Sequence, residues 1–273
     1  MAPIEYLVLR TIRHFMPVNW VKWLLNRHLI IKPGMETKDP DAAVARYLDT
    51  LHRYNQQLEG RDVFILGYGG RFSVGVALLE AGARHVTLCD PYATPDLDAA
   101  RTLSTRYPEY LRVEADRVDI LDPHLELLTV DVRALPTAYR RRYNLVLSSS
   151  VFEHLDDPRA IAGALADITA EDGFQMHFID LRDHYAKYPF EMLCYSEGVW
   201  GKWLNPTSNL NRFRIADYVT AFETVFTQVE WEALSQDVAA FQRTRPRIQS
   251  QFLSGDDAVD SITRILLIAQ IPL

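Results

Sequence analysis

Cysteine is scarce in this 273-residue chain: Cys89 and Cys194 are too few for a disulfide framework and have no zinc-site spacing, so no metal is expected. No apolar run approaches the roughly 18 residues of a membrane-spanning helix. The N-terminal residues lack the apolar core and small-residue cleavage site of a secretory leader. An excess of positive charge is missing too. With 29 Lys and Arg against 36 Asp and Glu, the net charge of −7 argues against nucleic acid as a partner. Internal repeats are absent, and 48% apolar with 24% charged residues is the balance of a globular protein, not of a disordered one. What remains is a cytoplasmic chain with one sizeable core and some tens of residues for a lid or an extension.

The most informative stretch is Asp62 to Asp90. Val63–Leu66 is a short, unbroken apolar run, as in a strand buried on both faces of a parallel sheet. Gly67, Gly69 and Gly70 follow, where the backbone bends and a ligand can approach closely. Ser73–Ala81 carries apolar residues at helical spacing and is closed by Gly82, and His85–Cys89 is a second strand ending at Asp90. In a doubly wound sheet the glycine turn and Asp90 then lie side by side at the carboxyl ends of neighbouring strands, where a carboxylate accepts bonds from ribose hydroxyls. The dinucleotide pattern G-x-G-x-x-G is broken by Phe72, which weighs against NAD.

Around this unit the chain divides into a helical extension, residues 1–58, and a main domain, residues 59–273. Met1–Lys32 carries five Lys or Arg against one acid with aromatics interleaved, and Pro17 splits it. It suits either peripheral contact with an anionic membrane or packing on the domain or a second subunit as a homodimer. Asp39 and Pro40 open an amphipathic helix through Tyr54. After Asp90 the Ala93–Tyr110 region reads as partly helical. A third strand spans Leu125–Val132, with Asp131 at its end beside the adenine edge of the site. A fourth, Tyr143–Leu147, runs into Ser148, whose hydroxyl is a candidate ligand contact. Phe174–Leu181 is the fifth strand, and an insert over 183–213 follows, long enough for a lid. Within it Tyr185, Tyr195, Trp200, Asn211 and Arg212 offer ring faces, an amide and a guanidinium to an acceptor, or else form a satellite cluster under a long loop. A helix over Ile215–Phe226 and an antiparallel pair, Val229–Leu234 with Ile262–Ile271, complete the sheet.

Taken together, ILGYGG at 65–70, CDPY at 89–92, VDV at 130–132 and YNLVLSSSVFEHLDDP at 143–158 resemble motifs of class I S-adenosylmethionine-dependent methyltransferases. FIDLRDHY at 178–185 and NRFR at 211–214 resemble a bacterial branch associated with surface polysaccharide synthesis. The resemblance implies an α/β, Rossmann-like doubly wound sheet, mostly parallel with a final antiparallel strand, and S-adenosyl-L-methionine as cofactor. It extends the cofactor-binding set to Gly67, Tyr68, Gly69, Gly70, Asp90, Asp131, Val132 and Ser148. The chain departs from the family at Ile65, where an acid is usual, at Asn144, usually Asp, and at Glu171-Asp172-Gly173, usually Pro-Gly-Gly.

Methyl transfer is an in-line displacement, so a protein mainly has to hold the two reactants in line and, for a hydroxyl acceptor, remove a proton. The candidates for that proton are His154, and His184 with Asp183. The expected activity is O-methylation of a small-molecule, sugar or glycan-linked acceptor. The competing readings are an NAD-dependent oxidoreductase or epimerase and a non-catalytic S-adenosylmethionine-binding partner.

Overall fold

The computed structural model describes residues 3–15, 39–185, 187–205 and 210–273. Pro17 and the rest of the basic segment from residue 16 to 32 lie outside the described residues. A seven-stranded sheet organises the molecule, built from β1 (Asp62–Leu66), β2 (His85–Cys89), β5 (Leu125–Leu128), β6 (Tyr143–Ser149), β7 (Thr169–Asp180), β8 (Phe226–Gln236) and β9 (Ile262–Pro272). Their order is β5-β2-β1-β6-β7-β9-β8, and only β9 runs antiparallel to both its neighbours. β1 lies inside the sheet with all five residues buried, which is why its sequence is a continuous apolar run and not an alternating one.

One face of the sheet is covered by α2 (Pro40–Arg53) and α3 (Ser73–Glu80), the other by α5 (Pro158–Ile168) and α6 (Ile215–Glu223). Two of these helices start alike. Asp39 and Asp157 each accept a bond from a backbone N–H at 3.0 Å, and each precedes a proline that lacks the donor a first turn would leave unpaired.

The sheet departs from its sequence expectation in three places. β5 stops at Leu128, because Asp131 instead caps a short 3-10 turn, Val132–Ala134. Between α4 (Leu97–Arg106) and β5 the chain forms a separate antiparallel hairpin, β3 (Leu111–Glu114) with β4 (Arg117–Ile120). β7 begins five residues early at Thr169, and the Glu171–Gly173 segment is a bulge: β6 advances from Tyr143 to Leu145 while its partner moves from Thr169 to Phe174. A further helix, α7 (Val238–Thr244), follows β8 and packs Phe241 on Phe190 of the insert.

Ser148 is a correction to the expected site. It is fully buried, and its hydroxyl meets His177 Nδ1 at 2.8 Å in the interior between β6 and β7. His177 Nε2 meets Gln175 Oε1 at 2.8 Å, and Gln175 Nε2 donates to Thr169 Oγ1. The amide orientation makes Oε1 the acceptor, so His177 carries its proton on Nε2 and accepts from Ser148 at Nδ1. Burial pushes His177 down to about 3, and it stays neutral in the folded protein. The unfolded chain takes up that proton near pH 6.5, so this contribution to stability is complete above pH 6.5 and declines as pH falls towards 3. Chemical unfolding at pH 6.5 and pH 4 should show a loss of about 3 kcal/mol from this group. His177→Gln should remove that part of the pH dependence; an unchanged slope would place its origin elsewhere.

Candidate functional site

At the carboxyl ends of β1, β2 and β6 the surface opens into a cleft of about 740 Å³. Gly67 and Gly70 have φ of +81° and +83°, and a Cβ would stand 2.3 Å from Val151 at the first and 2.4 Å from the Thr94 carbonyl oxygen at the second. Those two positions therefore require glycine. Gly69, also left-handed, has open space where a Cβ would lie. Asp90 joins this turn to the one after β2: Oδ1 accepts from Tyr92 N at 2.9 Å and Ala93 N at 3.0 Å, and Oδ2 accepts from Gly69 N at 3.4 Å. Tyr68 lines the same cleft with a buried hydroxyl that has no hydrogen-bond partner among the described residues, and burial followed by the charge of Asp90 pushes it up to about 12.

Val132 and Asp131 stand on the opposite wall. Asp131 is engaged by a residue the sequence reading passed over: Arg133 donates to its Oδ1 at 3.0 Å and to its Oδ2 at 2.7 Å, and reaches Asp156 at 3.1 Å. These hydrogen bonds hold the Asp131 carboxyl below its ordinary range. Oδ2 keeps a lone pair for a further donor. Only the position of Arg133 two places after Asp131 hinted at its role. Ser149 and Ser150 line the cleft where Ser148 was expected. Ser150 follows β6 in the left-handed region, φ 54°, and donates its N–H to Phe178 O at 2.9 Å.

The 3-10 turn Phe152–His154 closes one end of the cleft. It is fastened from the insert. Asn211 Nδ2 donates to Phe152 O at 2.6 Å and to Leu155 O at 2.9 Å, Asn211 N donates to Glu153 O, and Tyr218 adds its hydroxyl to Phe152 O. Asn211 is thus a brace, although its residue type alone reads equally well as an acceptor ligand. His154 faces both the cleft and a second pocket of about 560 Å³ that also contains Trp200, Asn211 and Arg212. The rings of His154 and His184 meet edge to face, 4.9 Å between centroids. Burial, then the neighbouring His154, pushes His184 down to about 4; burial pushes the adjacent Glu153 up to about 8.

Asp183 has a different position from the one expected. It is 1% exposed and accepts from Tyr6 Oη at 2.5 Å, Arg10 Nη2 at 2.5 Å and Tyr185 N at 2.9 Å. It is a buried anchor for α1 (Ile4–Phe15), not an acid or base in the cleft. The aromatic residues of the insert serve the same contact. Tyr195 stacks on Tyr6, and Arg10 lies over the rings of Tyr185 and Trp200 at 4.9 and 4.7 Å. Arg212 donates to the Met192 and Tyr195 carbonyls and pairs with Glu197. Of the five expected acceptor residues, Trp200, Asn211 and Arg212 line the second pocket; Tyr185 and Tyr195 are absent from both linings.

With this geometry in place, the solved structures that share the fold are informative. The Streptomyces coelicolor geranyl diphosphate C-methyltransferase, in complex with Mg2+, geranyl diphosphate and S-adenosylhomocysteine, superposes with a TM-score of 0.51 over 83% of this chain and 77% of its own, at 11% identity. A geranyl diphosphate methyltransferase in complex with S-adenosylmethionine gives 0.52 over 85% of each chain at 12% identity. A Galdieria sulphuraria protein provisionally assigned as a sarcosine dimethylglycine methyltransferase gives 0.51 over 84% and 86% at 9%. The fold is that of S-adenosylmethionine-dependent methyltransferases. No protein-family model and no curated protein matches the sequence.

The brace makes its own prediction. Asn211→Ala removes two side-chain bonds from the turn and should destabilise the protein by about 1–3 kcal/mol. Hydrogen exchange should quicken at the His154 and Leu155 amides, which now bond to Val151 O and Phe152 O within the turn. Unaltered exchange there would mean that the turn holds its shape without Asn211.

Proposed function

We propose that the chain is an S-adenosylmethionine-dependent methyltransferase acting on a hydroxyl of a small sugar-like or glycan-linked acceptor. The observation that carries this reading is the cleft itself: a glycine turn, the Asp90 carboxylate and a buried Tyr68 hydroxyl, unbonded among the described residues, converge at the strand ends of a methyltransferase-type sheet. The cofactor supplies a methyl group on a positively charged sulfur, so no side chain has to form a covalent bond with the acceptor. Asp90 Oδ2, whose bond from Gly69 N is long at 3.4 Å, is suited to accept from ribose hydroxyls, Asp131 Oδ2 from an exocyclic amine, and Tyr68 to donate. Phe72, where a dinucleotide site has its third glycine, is buried against Tyr68 with ring centroids 5.5 Å apart, which disfavours a pyrophosphate there.

The second pocket supports the acceptor class. Asp156, Glu197, Asn205 and Arg212 give it a charged and amide lining beside Trp200 and Phe252, a surface suited to polyhydroxylated rings. It shares His154, Leu155 and Asp156 with the cleft, so an acceptor held there would approach the cofactor across the Glu153–His154 turn. His154, which lines both pockets, is the candidate to take the proton its hydroxyl loses, with the His184 ring edge to face against it. A link to surface polysaccharide synthesis belongs to this reading and rests on the sequence motifs alone.

Calorimetry with S-adenosylmethionine tests the cofactor. Asp90→Ala should weaken binding roughly tenfold to a hundredfold, about 1–3 kcal/mol. Binding of NAD with no response to S-adenosylmethionine would end the reading.

A location at the inner membrane face, beside lipid-linked acceptors, is proposed from α1. Arg10 is buried and cannot serve a lipid surface, but Ile4, Val8, Ile12 and Phe15 form an exposed stripe at helical spacing. Removing residues 1–15 should abolish sedimentation with anionic liposomes, which in the full chain should weaken with salt. Equal sedimentation of both forms would leave α1 with only its packing role on the insert.

A further inference from the structure

We infer that Glu153, His154 and His184 form a binding site for one divalent transition-metal ion of the zinc type, where the turn after β6 meets the start of the insert. One carboxylate oxygen and one nitrogen from each imidazole lie within 4.8 Å of one another. Two of the three residues present buried polar atoms with no partner among the described residues: Glu153 Oε2 and His184 Nδ1 each lack a hydrogen bond there. Glu153 is only 3% exposed, and a buried carboxylate oxygen left unpaired is costly unless something else satisfies it. A cation between the three groups would give the Glu153 carboxylate and the His184 ring a partner.

The donor set narrows the ion. Two imidazoles and one carboxylate suit Zn2+, Mn2+ or Co2+, whereas Mg2+ and Ca2+ prefer an all-oxygen shell. Metal–ligand bonds of about 2.1 Å put tetrahedral ligand atoms about 3.4 Å apart, so closing the shell asks for about 1 Å of side-chain rotation. Nearby cations do not oppose it, because Arg10 is paired with Asp183 and Arg182 with Asp180. The supports that orient ligands in metal sites are also present: Asn211 fixes the turn carrying Glu153 and His154, and the Asp183 anchor fixes the residue before His184. No spacing in the sequence signals this site, since Glu153 and His154 are neighbours on one turn and His184 belongs to another element.

Three protein ligands leave a coordination position for an oxygen. The consequence for catalysis rests on the methyltransferase reading; the binding does not. An acceptor hydroxyl at that position is acidified and loses its proton to solvent; its electron pair forms the new C–O bond as the C–S bond breaks and that pair returns to sulfur.

The test is calorimetric titration of Zn2+ into chelator-treated, full-length protein carrying no histidine tag, with Co2+ visible absorption as a second readout. Wild type should bind one equivalent per chain, and His184→Ala and the shape-preserving Glu153→Gln should bind at least about tenfold more weakly while unfolding cooperatively. No binding by wild type, or equal binding by all three proteins, overturns the site. S-adenosylmethionine titrated into the same samples keeps the two ideas apart: cofactor binding without metal binding refutes only the metal site, and metal binding without cofactor binding refutes only the methyltransferase reading.

Discussion

Asn211 is the point through which the insert controls the cleft. Its side chain bonds the carbonyls of Phe152 and Leu155, adding to the bond that Leu155 N makes to Phe152 O within the turn. Those bonds fix the two consecutive residues, Glu153 and His154, that meet His184 at the boundary between the cleft and the second pocket. Three residues on, Arg214 secures the same return of the chain. It is buried and donates to the carbonyls of Leu181, Asp260 and Ile262, binding the end of the insert to β7 and to the start of β9. The insert is therefore pinned at its exit by neutral carbonyls and at its entry by the Asp183–Arg10 ion pair.

This arrangement exchanges solvation for position. Each brace removes a charged or amide group from water, and such a group is tolerable only when nearly all its hydrogen-bonding capacity is used. Arg10, Asp183, Glu191, Arg212 and Arg214 are all buried, and each is hydrogen-bonded; Glu191, for example, takes a bidentate bond from Arg247. Glu153 Oε2, His184 Nδ1 and the Tyr68 hydroxyl are among the buried atoms with no hydrogen-bond partner in the described residues, and these three belong to or adjoin the proposed chemistry. α1 is part of the same economy, since its Tyr6 and Arg10 complete the pairing of Asp183.

The sequence reveals what is encoded locally. β1, the glycine turn, α3 and β2 are legible because a five-residue apolar run, left-handed glycines and helical spacing each constrain their own segment. Asp90 is legible for the same reason. Residues whose meaning depends on a distant partner are not. Trp200, Asn211 and Arg212 read as acceptor contacts, yet each also holds the insert together, because the polar groups that recognise a ligand are those that satisfy buried carbonyls. Asp183 reads as a base only while Tyr6 and Arg10 remain far away along the chain. The hairpin β3–β4 escaped notice because neither strand has more than one buried residue, which leaves little apolar pattern.

The account depends on S-adenosylmethionine chemistry at the ends of β1 and β2. A crystal structure with S-adenosylhomocysteine tests that most directly. The account predicts the ribose on the Asp90 carboxylate, the adenine against Asp131 and Val132, and the sulfur directed to the His154 turn. Ligand density confined to the pocket between Trp200 and Arg212, with the glycine turn untouched, would contradict it.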